Sequence, residues 1–125
     1  MEKYLLIGLG GGFGSILRYL VSRAVYHAVG ETFPYGTLAV NIIGCLIIGL
    51  LMALMQERLA VNTNYRFLLV IGLLGGFTTF SSFSYETFEL IRSGSISAAM
   101  FNVLYNVAGC LVATWSGYTI GKNII

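Results

Sequence analysis

The residues able to do chemistry crowd into one run, Gly75-Gly76-Phe77-Thr78-Thr79-Phe80-Ser81-Ser82-Phe83-Ser84-Tyr85-Glu86. Two adjacent glycines are followed by five hydroxyl side chains within positions 78–84. Both features weaken a continuous helix: glycine loses the most backbone entropy, and Ser and Thr compete for backbone hydrogen bonds. A helix break there frees carbonyl oxygens, which coordinate cations. The hydroxyls of Thr79, Ser82 and Ser84 are donors suited to an anion. Phe80 and Phe83, three residues apart, share a side if the helix resumes. An aromatic ring is negative on its face and positive at its edge, so inward edges can meet an anion without a formal charge. The competing reading makes both rings lipid-facing or packed.

Other polar groups stand where the flanking sequence is apolar. Asn41 can donate to an anion or tie two helices together, and Asn102 and Asn106, one helical turn apart, admit the same two readings. Arg18 follows the run Gly10-Gly11-Gly12-Phe13-Gly14. It either presents a positive charge to an anion vestibule or snorkels to lipid headgroups. A charge at mid-membrane costs at least ~2.5–3.5 kcal/mol, so each such group is a functional candidate. Glu86 and Glu89 close the third apolar stretch, and Glu89 reads as a solvated interfacial side chain. The glycine run lacks the Gly-Lys-Ser/Thr ending of a phosphate loop. The single histidine, His27, sits at a loop edge, and no serine has an evident base, so no catalytic constellation is expected. Cys45 and Cys110 lie inside apolar runs and read as small residues at helix contacts.

The elements that must position these groups are membrane helices. The chain has 125 residues, 57% hydrophobic and 10% charged, too few charges to cover a soluble domain. A net charge of +2 is too weak for nucleic-acid binding. Stretches at about 4–26, 37–55, 67–91 and 96–120 are each long enough to cross a bilayer. The expected fold is therefore an all-α membrane protein, a single domain of four transmembrane helices over 1–125, with the third broken at Gly75–Thr79. Short connections at 30–36, 56–64 and 92–95 make neighbouring helices antiparallel. Lys3, Arg58, Arg66 and Lys122 face one side, against Arg23 and Arg92, with Arg18 deeper, on the other. That bias is weak under the positive-inside rule, so both orientations and an antiparallel two-fold dimer are expected.

The run Gly75 to Glu86 resembles the signature of the Fluc (CrcB) family of fluoride channels. The resemblance extends to the glycine run ending in Arg18-Tyr19, to Pro34-Tyr35-Gly36-Thr37 leading to Asn41, and to Asn102 through Gly109. It covers all four spans. It implies a passive, fluoride-selective exporter in the cytoplasmic membrane, a dual-topology homodimer with two pores that protects against fluoride toxicity. Carried over, Phe80 and Phe83 supply aromatic edges, Asn41 the pore amide, Arg18 the vestibule cation, and Thr79, Ser82 and Ser84 hydroxyls along the path. Glu86 sits near a vestibule, and Tyr105 and Asn106 are pore-side candidates on the fourth span. A structural sodium ion (Na+) is held at the dimer centre by backbone carbonyls of Gly75 and Thr78 from each subunit. Ser82 stands where threonine is more usual. Two other classes compete. A small multidrug-type exporter wants a membrane-embedded acid, which the first, second and fourth spans lack. A non-transporting assembly subunit has no need of a hydroxyl-rich break.

Overall fold

The structure, a computed structural model, describes residues 1–57 and 62–124. Arg58, counted above in the charge bias, lies outside the described residues. Helix α1 (Glu2–Val29) stops at Gly30, whose φ of 90° is left-handed and whose N–H returns to the Tyr26 carbonyl at 2.8 Å. Pro34 then introduces α2 (Tyr35–Glu57). The third span begins with the turn α3 (Thr63–Tyr65), capped by the Asn62 side chain on the Asn64 N–H at 3.0 Å. It continues as a π-helical segment (Arg66–Leu74) and the short turn α4 (Gly75–Phe77). After a break it resumes as α5 (Phe80–Arg92), and α6 (Ile96–Ile124) completes the bundle. Four helical stretches among the described residues are long and apolar enough to cross a membrane. Each continues a little past the apolar stretch that marks it in the sequence.

The spans pair through backbone-to-backbone approach at small residues. A Cβ on Gly14 would overlap the Leu73 carbonyl, and one on Gly10 the Leu68 carbonyl, so α1 lies directly against the π-helical segment. A Cβ on Gly117 would likewise strike the Leu46 carbonyl, which locks α6 onto α2. Numbers rise together across both contacts, so the first and third spans run parallel, as do the second and fourth. Such packing replaces the hydrophobic drive that lipid cannot supply.

The large side chains point outward: Leu9, Phe13, Leu111 and Trp115 are all exposed on this chain. Inside, Val40, Leu74, Phe77 and Phe83 share the core with buried Thr37, Asn41, Thr79, Asn102 and Asn106. An interior this polar within an apolar shell is the inverse of a soluble bundle.

Candidate pore lining

The break falls on Thr78 and Thr79, which are extended at φ −84°, ψ 156° and φ −149°, ψ 118°. Thr79 is the N-cap of α5, its hydroxyl accepting from the Ser82 N–H at 3.1 Å. β-Branching favours extended backbone, and the hydroxyl replaces the carbonyl that a helix would supply. The break is thus narrower than Gly75–Thr79, since Gly75–Phe77 still completes a helical turn.

Asn41, arriving from α2, substitutes for the missing helix. Its Oδ1 accepts from the Thr79 N–H at 2.8 Å, and its Nδ2 donates to the Thr79 carbonyl at 3.0 Å. The second Nδ2 hydrogen goes to Asn106 Oδ1 at 3.2 Å. Asn106 Nδ2 then donates to Asn102 Oδ1 at 3.0 Å and to its carbonyl at 2.9 Å. Asn102 donates to the Thr87 hydroxyl at 2.9 Å, which donates to the Phe83 carbonyl at 2.8 Å. The result is one continuous ladder of amides and hydroxyls through α2, α5 and α6. Of the two readings of Asn41, the geometry shows the one in which it ties helices together.

The break also diverts two amides from two carbonyls. The Thr79 N–H, which would close a turn onto the Gly75 carbonyl, points to Asn41. The Ser82 N–H, which would close onto Thr78, points to the Thr79 hydroxyl. Gly75 and Thr78 both line a cavity of about 470 Å³ together with Asn41, Thr79, Phe80, Phe83 and Asn106. The Phe80 and Phe83 rings meet there edge-on, with centroids 5.3 Å apart and planes at 62°. Phe83 is buried, whereas Phe80 is 77% exposed on the single chain.

Glu86 lies one turn beyond Ser82, where Thr37 donates to its Oε1 at 2.7 Å. Its Oε2 is buried without a hydrogen-bond partner among the described residues. Glu86 lines a second cavity of about 410 Å³ with Tyr26, Phe33, Pro34 and Tyr85. Glu89 is paired at the surface with Arg92 at 2.8 Å. Arg18 is half-buried on α1 and lines none of these cavities.

Of the two fourth-span candidates, Asn106 joins the ladder, while Tyr105 stands on another face against Phe33 and Phe101, with centroids 6.4 and 5.7 Å away. Ser82 is half-buried beside Thr79, its Oγ accepting from the Thr79 hydroxyl at 3.1 Å. Ser84 is exposed. Thr37 and Thr87 were not among the sequence candidates. The only sequence signal for Thr87 is its place one turn after Phe83, whereas Thr37 stands in the Pro34-Tyr35-Gly36-Thr37 run that carries the family resemblance.

An apolar shell, small-residue helix contacts and a buried ladder of hydrogen-bonded amides and hydroxyls define a multi-pass membrane protein. The chain belongs to the CrcB-like family: the family described as CrcB-like protein, Camphor Resistance (CrcB), matches residues 5–118. Its relatives include a protein of Coxiella burnetii, 50% identical over 96% of this chain and 98% of the relative. One from Solibacter usitatus is 48% identical over 97% and 99%, and one from Citrifermentans bemidjiense 46% over 99% and 100%. All three are named fluoride-specific ion channel FluC.

Proposed function

We propose that this protein is a fluoride-selective channel that exports fluoride passively across the cytoplasmic membrane and so protects against fluoride toxicity. The observation that carries the reading is the buried ladder from Asn41 and Thr79 to Thr87, flanked by the paired rings of Phe80 and Phe83. Near-full-length relatives named for fluoride conduction support it. A small anion is costly to dehydrate, and a row of weak donors replaces its water without trapping it. Amides, hydroxyls and ring edges are such donors. The negative-inside potential supplies ~2.3 kcal/mol per charge per 100 mV to drive the anion outward. No nucleotide or catalytic base takes part.

The Phe80 and Phe83 edges face the ion, and the amides and hydroxyls of Asn41, Thr79, Ser82 and Asn106 line its path, exchanging their partners within the ladder for the ion. Ser84 lies farther along, and Tyr105, on another face of α6, does not line it. Arg18 attracts the anion to one vestibule, and Glu86 borders another.

The functional unit is an antiparallel, dual-topology homodimer with two pores. Support comes from the exposure of Phe80, an aromatic at the edge of the lane, and from the wide apolar surface of a single chain. At its centre a structural sodium ion is held by the Gly75 and Thr78 carbonyls of both subunits. Those carbonyls are the two whose helical amides are diverted. When bound, the ion supplies positive charge that pins the two breaks together.

Passive efflux from liposomes carrying the purified protein tests the reading. Rapid fluoride release with negligible chloride release, without nucleotide or proton gradient, is expected. No fluoride release from folded protein would overturn it and bring the exporter reading forward.

A further inference from the structure

The two cysteines take no part in the polar ladder, yet they sit directly beside it. Helices α2 and α6 run parallel, and Asn41 bonds Asn106 across them at 3.2 Å. One turn further along each helix are Cys45 and Cys110. Residues four apart stack on one helix face, so in a parallel pair the next facing residues are these two. The flanking contacts agree with this register. Ile42 Cδ1 lies 3.3 Å from where a Cβ on Gly109 would be, and a Cβ on Gly49 would overlap the Thr114 carbonyl. Cys45 and Cys110 fall between those contacts. Both are free and half-buried, and both line the cavity of about 470 Å³.

We propose that Cys45 and Cys110 form a two-thiol site for a soft divalent metal ion that prefers linear coordination, with mercury(II) as the type. Thiolates select soft metals, and a bound metal deprotonates its thiol ligand. Zinc wants four ligands, and no cluster of three or more His, Cys, Asp or Glu exists among the described residues. Copper(I) or silver(I) between two thiolates leaves a net negative charge in the membrane, which is costly. A divalent ion avoids this. Two S–H bonds break, two S–metal bonds form, two protons leave to solvent, and the bridged product is neutral with no change in oxidation state. The close α2–α6 packing holds both sulfurs in place beforehand, so the second bond forms at high effective concentration.

The test is independent of ion conduction. The purified full-length protein is loaded with mercuric chloride, challenged with excess monothiol, desalted and weighed intact. Wild type is expected to keep one mercury per chain and to lose maleimide reactivity at both cysteines. Cys45→Ala and Cys110→Ala, each checked for native helix content and elution volume, should retain the metal about 10²-fold less well against the monothiol. Equal retention by the single variants, no retention by wild type, or a metal bridging two chains would each overturn the proposal.

Discussion

Replacing Asn41 by Asp is the sharpest test of an anion lane, because it keeps the shape and changes the charge. The introduced carboxylate still accepts from the Thr79 N–H, now at 2.8 Å. It loses both donors, so the Thr79 carbonyl and Asn106 Oδ1, at 3.0 and 3.2 Å, become acceptors facing an anion. A fluoride ion passing about 4 Å away would meet ~4 kcal/mol of repulsion at an effective dielectric of 20. That corresponds to roughly a thousandfold slower passage. Flux through Asn41→Asp is therefore expected to fall by about that factor at alkaline pH, because the charged side chain blocks the anion. Asn41→Ala separates charge from lost bonding. It removes three hydrogen bonds worth ~0.6 kcal/mol each in membranes, so ~2 kcal/mol of stability. The assay is electrode-recorded fluoride efflux from liposomes at alkaline pH, with denaturant titration for stability. Wild-type flux from Asn41→Asp at alkaline pH would refute the reasoning, because no anion then passes near that amide.

Three further outcomes are expected. Phe83→Ile removes a buried ring edge but not apolar bulk, so fluoride efflux should slow at least about tenfold while the protein still elutes as a folded species; unchanged efflux in both Phe83→Ile and Phe80→Ile would eliminate ring edges as anion contacts. Asn106→Leu should abolish most efflux and cost ~1–3 kcal/mol by leaving one Asn41 Nδ2 hydrogen and the Asn102 Oδ1 unpaired, whereas Tyr105→Phe should be close to neutral; the reverse order would move the path to the Tyr105 face. Gly117→Val forces a side chain into the Leu46 carbonyl, and overpacking of about 1–3 kcal/mol should appear as a lower denaturant midpoint.

The break in the third span was legible because glycine pairs and clustered hydroxyls act locally, within the reach of their own backbone. The π-helical winding just before it was not: Arg66–Leu74 is an ordinary apolar run. The Gly75 N–H reaches both Gly72 and Val70, a geometry that depends on α1 pressing against the segment rather than on its composition. Asn41 was recognisable as a misfit in an apolar helix, but its partner is 38 residues away, so its two readings stayed open. Neighbours on a helix diverge by about 100°, and α6 is apolar nearly all round, so sequence had no means of ranking Asn106 over Tyr105. Thr87 is hidden in the sequence for a related reason. A threonine in an apolar helix usually bonds its own preceding turn, as Thr87 does to Phe83, and only the approach of Asn102 makes it part of a network.

The two halves of the third-span motif are one device. A broken helix at membrane depth leaves donors and acceptors that must be paired. Here the donors turn inward: Thr79 N–H to Asn41, and Ser82 N–H to the Thr79 hydroxyl. The Gly75 and Thr78 carbonyls thereby lose their helical amides at the cavity wall, on the side where Phe80 is exposed. An asparagine at position 41 suits the backbone before any ion is considered, because one amide accepts from the N–H and donates to the carbonyl of the same residue, Thr79. Aspartate supplies the acceptor alone, and leucine supplies neither. The side chain that seals the break is thus also the one whose amide borders the lane. Substitutions there should separate into a stability effect common to all and a charge effect peculiar to Asp, with Asn41→Ala telling the two apart.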